Sequence, residues 1–175
     1  RKRLTTSLAH AEKLHAIQFV VANGPDEVRA KVRENIKYGA DVIKFAATGG
    51  VLSKNTDVNA SQYNLEEMKA LIDEAHDRGR IVAAHAHGLQ GIKRAIEAGV
   101  DSIEHGTYMD KTTMALMRKQ GTYFVPTISA GKWAEEKSRI AGFFPDLVRP
   151  KAATIGGRIQ QTFAEAYKAG VKISS

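Results

Sequence analysis

Apolar and polar positions alternate along this chain in a repeated unit. A helix-like stretch ends at a glycine, and a short apolar run follows. The unit recurs at Gly39-Ala40-Asp41-Val42-Ile43-Lys44, Gly79-Arg80-Ile81-Val82-Ala83-Ala84-His85 and Gly99-Val100-Asp101-Ser102-Ile103-Glu104-His105. It returns at Gly121-Thr122-Tyr123-Phe124-Val125 and Gly170-Val171-Lys172-Ile173. Each glycine suits the position just past a helix, where φ turns positive and a Cβ costs energy. The runs that follow are short and rich in β-branched residues, as strands are.

The segments between are predicted helices. One begins at Pro25-Asp26-Glu27 and reaches Tyr38. Asn64-Leu65-Glu66-Glu67 reads as a capping box, with Asn64 as N-cap and Glu67 reaching back. The helix it opens sets Met68, Leu71, Ile72 and Ala75 on one face, the stripe of a helix packed on a sheet. Leu89 to Ala98 and Lys111 to Lys119 form two more. Arg149 to Lys168 is the longest, with Gly156-Gly157 as its weak point. Strands alternating with helices give an α/β fold with a parallel sheet and right-handed crossovers. Helices of this length suit a (β/α) barrel or a doubly wound sheet. Five strands are visible and a (β/α)8 TIM-type barrel needs eight. The expectation is an incomplete barrel over residues 25–175, roughly the C-terminal half or more. Residues 1–24 form an N-terminal segment without firm assignment, in which Leu8 to Ile17 reads as a helix and Phe19-Val20-Val21 as a short strand.

Composition narrows the class. The chain has 175 residues, 43% hydrophobic and 26% charged, and no cysteine. That excludes disulfide scaffolds, zinc fingers, iron–sulfur sites and a cysteine nucleophile. No apolar run approaches the roughly 20 residues of a membrane span. The start, Arg1-Lys2-Arg3, lacks both Met and a signal core, which reads as a processed or excised chain. The compartment, cytoplasm or periplasm, is left open. The net charge of +7 is uneven, with 11 basic and five acidic residues over 110–175. These basic residues are scattered and not interleaved with aromatics, so a solvated surface is preferred over nucleic-acid binding.

Three strand ends carry polar residues that a core strand should not tolerate: Lys44, the pair His85 and His87, and His105. Lys44 lies five residues after its glycine; His85 and His105 lie six after theirs. In a barrel such positions converge at the C-terminal mouth, where active sites sit. Alternation puts His85 and His87 on the same side. Singly, each has a bland reading, a snorkelling lysine or a hydrogen-bonded structural histidine. Together, two imidazoles and a neutral or modified lysine make a divalent-metal site, and imidazole suits zinc. A buried lysine that loses its proton could add carbon dioxide and become a carbamate.

The stretch Gly39 to Gly50, His85-Ala86-His87-Gly88 and Ile103-Glu104-His105-Gly106-Thr107 resemble the metal-dependent amidohydrolase superfamily. Lys44-Phe45-Ala46-Ala47-Thr48-Gly49-Gly50-Val51-Leu52-Ser53 resembles its prolidase-like branch, the Xaa-Pro dipeptidases and Xaa-Arg or Xaa-Lys carboxypeptidases. The similarity covers residues 24–173. It implies cleavage of an amide bond in a dipeptide or N-acyl amino acid by a hydroxide bridging two divalent metal ions, zinc first among them. Lys44 would be the carboxylated, carbamate-bearing bridge, and His85 and His105 ligands of the second metal. His87 would be the catalytic contact to the substrate carbonyl or oxyanion. Thr48, Gly49 and Gly50 would shape the loop beside the substrate. Arg139, in the loop expected after Thr127 with Lys132, Trp133 and Lys137, is a candidate for the substrate carboxylate. The family also uses a His-x-His pair on its first strand and an Asp at the end of its eighth. This sequence shows neither, since His10 and His15 are five apart.

Two other readings stand beside this one. Lys44 followed by Thr48-Gly49-Gly50 also resembles a class I aldolase barrel, with a Schiff base on Lys44 and phosphate on the loop; that leaves the three histidines without work. The missing ligands favour a catalytically incomplete barrel or an interaction module, whose open strand edges would promote a homo-oligomer. The partner expected is a small molecule or dipeptide, with neither nucleic acid nor membrane.

Overall fold

The computed structural model describes residues 4–6 and 21–174. The order is β1 (Leu4–Thr6), α1 (Gly24–Lys37), β2 (Val42–Ala46), α2 (Leu65–His76), β3 (Ile81–Ala86), α3 (Leu89–Glu97), β4 (Ser102–His105), α4 (Lys111–Gln120), β5 (Tyr123–Val125), α5 (Ile128–Ser138) and α6 (Arg149–Lys168). The sheet runs β1-β2-β3-β4-β5. From β2 to β5 all pairs are parallel, as alternating strands and helices require. The five helix-ending glycines all hold positive φ, from 65° at Gly79 to 92° at Gly39 and Gly99. The capping box is formed in both directions: Asn64 Oδ1 accepts from the Glu67 N–H at 2.8 Å, and Glu67 Oε2 from the Asn64 N–H at 2.9 Å.

Several elements differ from the sequence expectation. β1 pairs antiparallel with β2, so the sheet is not wholly parallel. The segment after Thr127, expected as a loop, is helix α5. Its buried face is Gly131, Ala134 and Ser138, too small to register as an apolar stripe. Helix α6 runs unbroken through Gly156-Gly157. Those small residues let α5 approach closely, since a Cβ on Gly156 would stand 2.9 Å from the Gly131 carbonyl oxygen. The last apolar run makes only a bridge, Phe124 with Ile173, parallel on the far side of β5. The helix expected at Leu8–Ile17 and most of the strand at Phe19–Val21 lie outside the described residues. No described helix is long and apolar enough to cross a membrane.

The two faces of the sheet differ. Ile43, Phe45, Val82, Ala84, Ile103 and Phe124 form one face, fully buried under α1 to α4 with Val32, Leu71, Ile96 and Met117. The other face carries Lys44, Ala46, Ala83, His85, Ser102 and Glu104, and at its lower end the exposed Ile81 and Tyr123. In a barrel the first face meets the helices and the second meets the axis. The described chain is thus part of a (β/α)8 barrel, with its axial face and its C-terminal strand ends carrying the polar residues. A second apolar cluster, Val51, Val58, Ala134, Ala152, Ile155 and Ile159, joins the loop after β2 to α5 and α6.

Candidate metal centre

Three imidazoles meet at the C-terminal ends of β3 and β4. His85 is the penultimate residue of β3, His87 lies just past its end, and His105 closes β4. The ring centroids form a triangle with every side 4.7 Å. One ligand atom from each lies within 4.8 Å of the others, a spacing a single cation could draw together. His105 is aimed by an unusual backbone: its φ is 71° and that of Gly106 is 53°. A non-glycine residue in this left-handed region stores strain that the surrounding fold must offset. Gly106 also has no room for a side chain, because a Cβ would meet the Phe124 ring at 2.5 Å.

Each ring is held by a second partner. His87 Nδ1 contacts the buried Thr107 hydroxyl at 2.8 Å, and His105 Nδ1 the Thr127 hydroxyl at 2.7 Å. Both rings thereby leave Nε2 for the cluster. His85 Nε2 stands 3.4 Å from the Gly49 carbonyl oxygen. A carbonyl only accepts, so Nε2 carries the proton and Nδ1 keeps its lone pair. Such outer contacts fix ring orientation, as metal-ligating histidines require, and the carbonyl also fixes the tautomer of His85. Burial pushes all three rings toward the neutral form, His87 down to about 2 and His105 down to about 3, helped by their neighbouring imidazoles. His85 is shifted in the same direction, again mainly by burial. Three neutral, desolvated imidazoles, each able to offer a ring-nitrogen lone pair, fit a divalent cation.

Lys44 reaches the same face from β2. Its ammonium makes an ion pair with Glu104, two strands away and next to His105. The small Ala83, opposite Lys44 in the register, lets the side chain pass across β3. Lys44 is close enough that its charge disfavours protonation of His85 and His105. Glu104 has no role readable from sequence, because the pairing depends on a register across three strands. Thr107 and Thr127 are likewise unmarked; their only signal is a hydroxyl residue close after a histidine or a strand.

The loop of residues 47–61 packs against the imidazoles. Thr48 Oγ1 accepts from the His87 N–H at 3.0 Å, and a Cβ on Gly50 would touch the His85 ring at 3.7 Å. Gly49 cannot carry a side chain against the Asp57 carbonyl, and Gly88 would meet the Asn59 Cα at 2.6 Å. Thr48, Gly49 and Gly50 are therefore brought to the cluster, as are Lys44, His85, His87 and His105. Arg139 is not. It caps α5 at the far end from Thr127, twelve residues or about 18 Å along the helix. Its side chain is exposed and pairs with Glu135 at 3.0 Å.

Residues 5–175 match the model of the amidohydrolase family. The ochratoxinase of Aspergillus niger is 45% identical over 109 residues, covering 62% of this chain and 23% of that protein. The crystal structure of a Xaa-Pro dipeptidase with methionine bound in its active site superposes with a TM-score of 0.84 at 51% identity, covering 94% of this chain and 42% of that one. A prolidase solved with N-methylphosphonate-L-proline gives a TM-score of 0.82 at 34% identity, covering 88% and 38%. The chain thus spans less than half the length of these relatives.

Proposed function

Because this chain belongs to the amidohydrolase family, we propose that its protein hydrolyses an amide bond in a dipeptide or N-acyl amino acid, using divalent metal held at the barrel mouth. The observation that carries the reading is the triangle of three neutral imidazoles beside Lys44. His85 through Nδ1 and His105 through Nε2 would hold one ion, zinc being the favoured identity. Lys44, carboxylated to a carbamate, would bridge to a second. Bound metal supplies Lewis acidity toward the substrate carbonyl and a water of lowered pKa.

The remaining work falls to this chain's own side chains. His87 is buried, neutral and fixed by Thr107, whose hydroxyl can donate or accept. If Thr107 donates, His87 presents an Nε2–H to the oxygen that gains charge during attack. If it accepts, His87 Nε2 is instead a third metal ligand. We assign it the first role, and assign Thr127 as acceptor from His105 Nδ1–H, so that His85 Nδ1 and His105 Nε2 offer the two lone pairs. Thr48, Gly49 and Gly50 wall the substrate side and exclude water from the rings. Carboxylation of Lys44 requires the amine to leave Glu104, whose carboxylate would repel a carbamate. Arg139, exposed and paired with Glu135, is left out of the proposed contacts.

The test is hydrolysis of a panel of Xaa-Pro dipeptides, Xaa-Arg dipeptides and N-acyl amino acids, followed by mass spectrometry with and without chelator. The reading expects cleavage that a chelator stops and zinc restores. Cleavage of none of the panel by metal-loaded protein would overturn it. A Schiff base on Lys44 would also require release from Glu104 and leaves the histidines idle; borohydride trapping with a carbonyl substrate would detect it.

A further inference from the structure

We infer that Lys151 is a positioning residue: its ammonium clasps the loop of residues 47–61 and so holds that loop's glycines against the imidazoles. Lys151 lies in the first turn of α6, where the helix dipole opposes a positive charge. Its Nζ donates to three backbone carbonyls of the loop, Ser53 at 2.6 Å, Thr56 at 3.1 Å and Gly50 at 3.3 Å. An ammonium has three N–H donors, and here all three are used. The residue is therefore committed to the loop and has none left for a substrate carboxylate.

The chain of contacts from Lys151 to the rings is short. Gly50, whose carbonyl it holds, lies against the His85 imidazole. The neighbouring Gly49 carbonyl orients His85 Nε2, and Thr48 accepts from the His87 N–H. Val51 and Val58 seat the loop on α5 and α6 from the apolar side. The clasp adds direction, since three converging carbonyls fix the loop's rotation where apolar contact alone does not. Replacing Lys151 by a residue of similar stem leaves three carbonyls facing one another with no donor.

The inference rests on the reading of His85 and His87 as site residues, but its primary test does not require activity. Hydrogen exchange measured by mass spectrometry on the whole protein should show peptides of residues 47–61 exchanging at least tenfold faster in Lys151→Met. Peptides of α1 and α2 should be unchanged. In Lys151→Ala, n-propylammonium should restore slow exchange by refilling the carbonyl ring, where the larger tetraethylammonium does not. Cobalt(II) serves as the site probe: its visible spectrum should differ between wild type and Lys151→Met. Unchanged loop exchange in both variants, or an equal increase throughout the chain, would overturn the inference. So would an identical cobalt spectrum despite a loosened loop. Failure of wild-type protein to take up cobalt would overturn the proposed function instead, leaving the exchange result to decide on the clasp.

Discussion

Replacing His105 by alanine and, separately, by glycine isolates the strain built into the site. Both variants lose the imidazole and its contact to Thr127, so the roughly 1 kcal/mol of that hydrogen bond cancels between them. What differs is the backbone. His105 sits at φ 71°, where a residue with a Cβ is disfavoured by about 1–2 kcal/mol. Glycine escapes that cost but loses about 0.5–1 kcal/mol more chain entropy on folding. The difference leaves His105→Gly more stable than His105→Ala by about 0.5–1 kcal/mol. For a domain of this size that is roughly 1–4 °C in melting temperature. Elsewhere in a strand or helix, glycine is the less stable of such a pair, so the sign itself is diagnostic. Calorimetry in chelator, with the wild type alongside, measures it. A glycine variant equal to or less stable than the alanine variant would refute the argument that the fold holds His105 under strain.

Further outcomes follow from the same geometry. The metal-free protein should lose stability as pH falls below 6.5: above that value the imidazoles are neutral folded and unfolded, and below it the unfolded chain takes up protons the folded site refuses. At one pH unit below, the loss is on the order of 1 kcal/mol per imidazole, read by denaturant titration across pH 5–8; a flat profile contradicts the buried, neutral cluster. Gly88→Ala should destabilise by about 1–3 kcal/mol, because its new Cβ meets the backbone of Asn59 at 2.6 Å while its φ of −74° is open to alanine. A melting temperature equal to wild type would show that the loop yields freely. His87→Ala should retain metal, measured by plasma mass spectrometry, while its turnover falls by 10²–10³, the usual loss for one oxyanion donor; loss of metal would make His87 a ligand.

Much of this was legible along the chain, and the physical reason is locality. The five glycines past helix ends are set by backbone sterics of single residues, and the capping box by residues three apart. The equivalence of Lys44, His85 and His105 follows from the βα repeat. What sequence could not show depends on contacts across elements. The Lys44–Glu104 pair needs the register of three strands and a small residue at Ala83. The left-handed turn at His105 is imposed by its surroundings, since a residue with a Cβ is disfavoured in that region. Helix α5 hides because its packed face is made of glycine, alanine and serine. Lys151 looks like any surface lysine until the carbonyls around it are seen.

If His85, His105 and Lys44 hold divalent metal at this barrel mouth, metal content shows it most directly. Plasma mass spectrometry on protein loaded with zinc and dialysed should find bound metal in the wild type and a large loss in His85→Ala and His105→Ala. Lys44→Met should retain less metal than the wild type. Wild-type protein without stoichiometric metal, or histidine variants that keep it in full, would contradict the account.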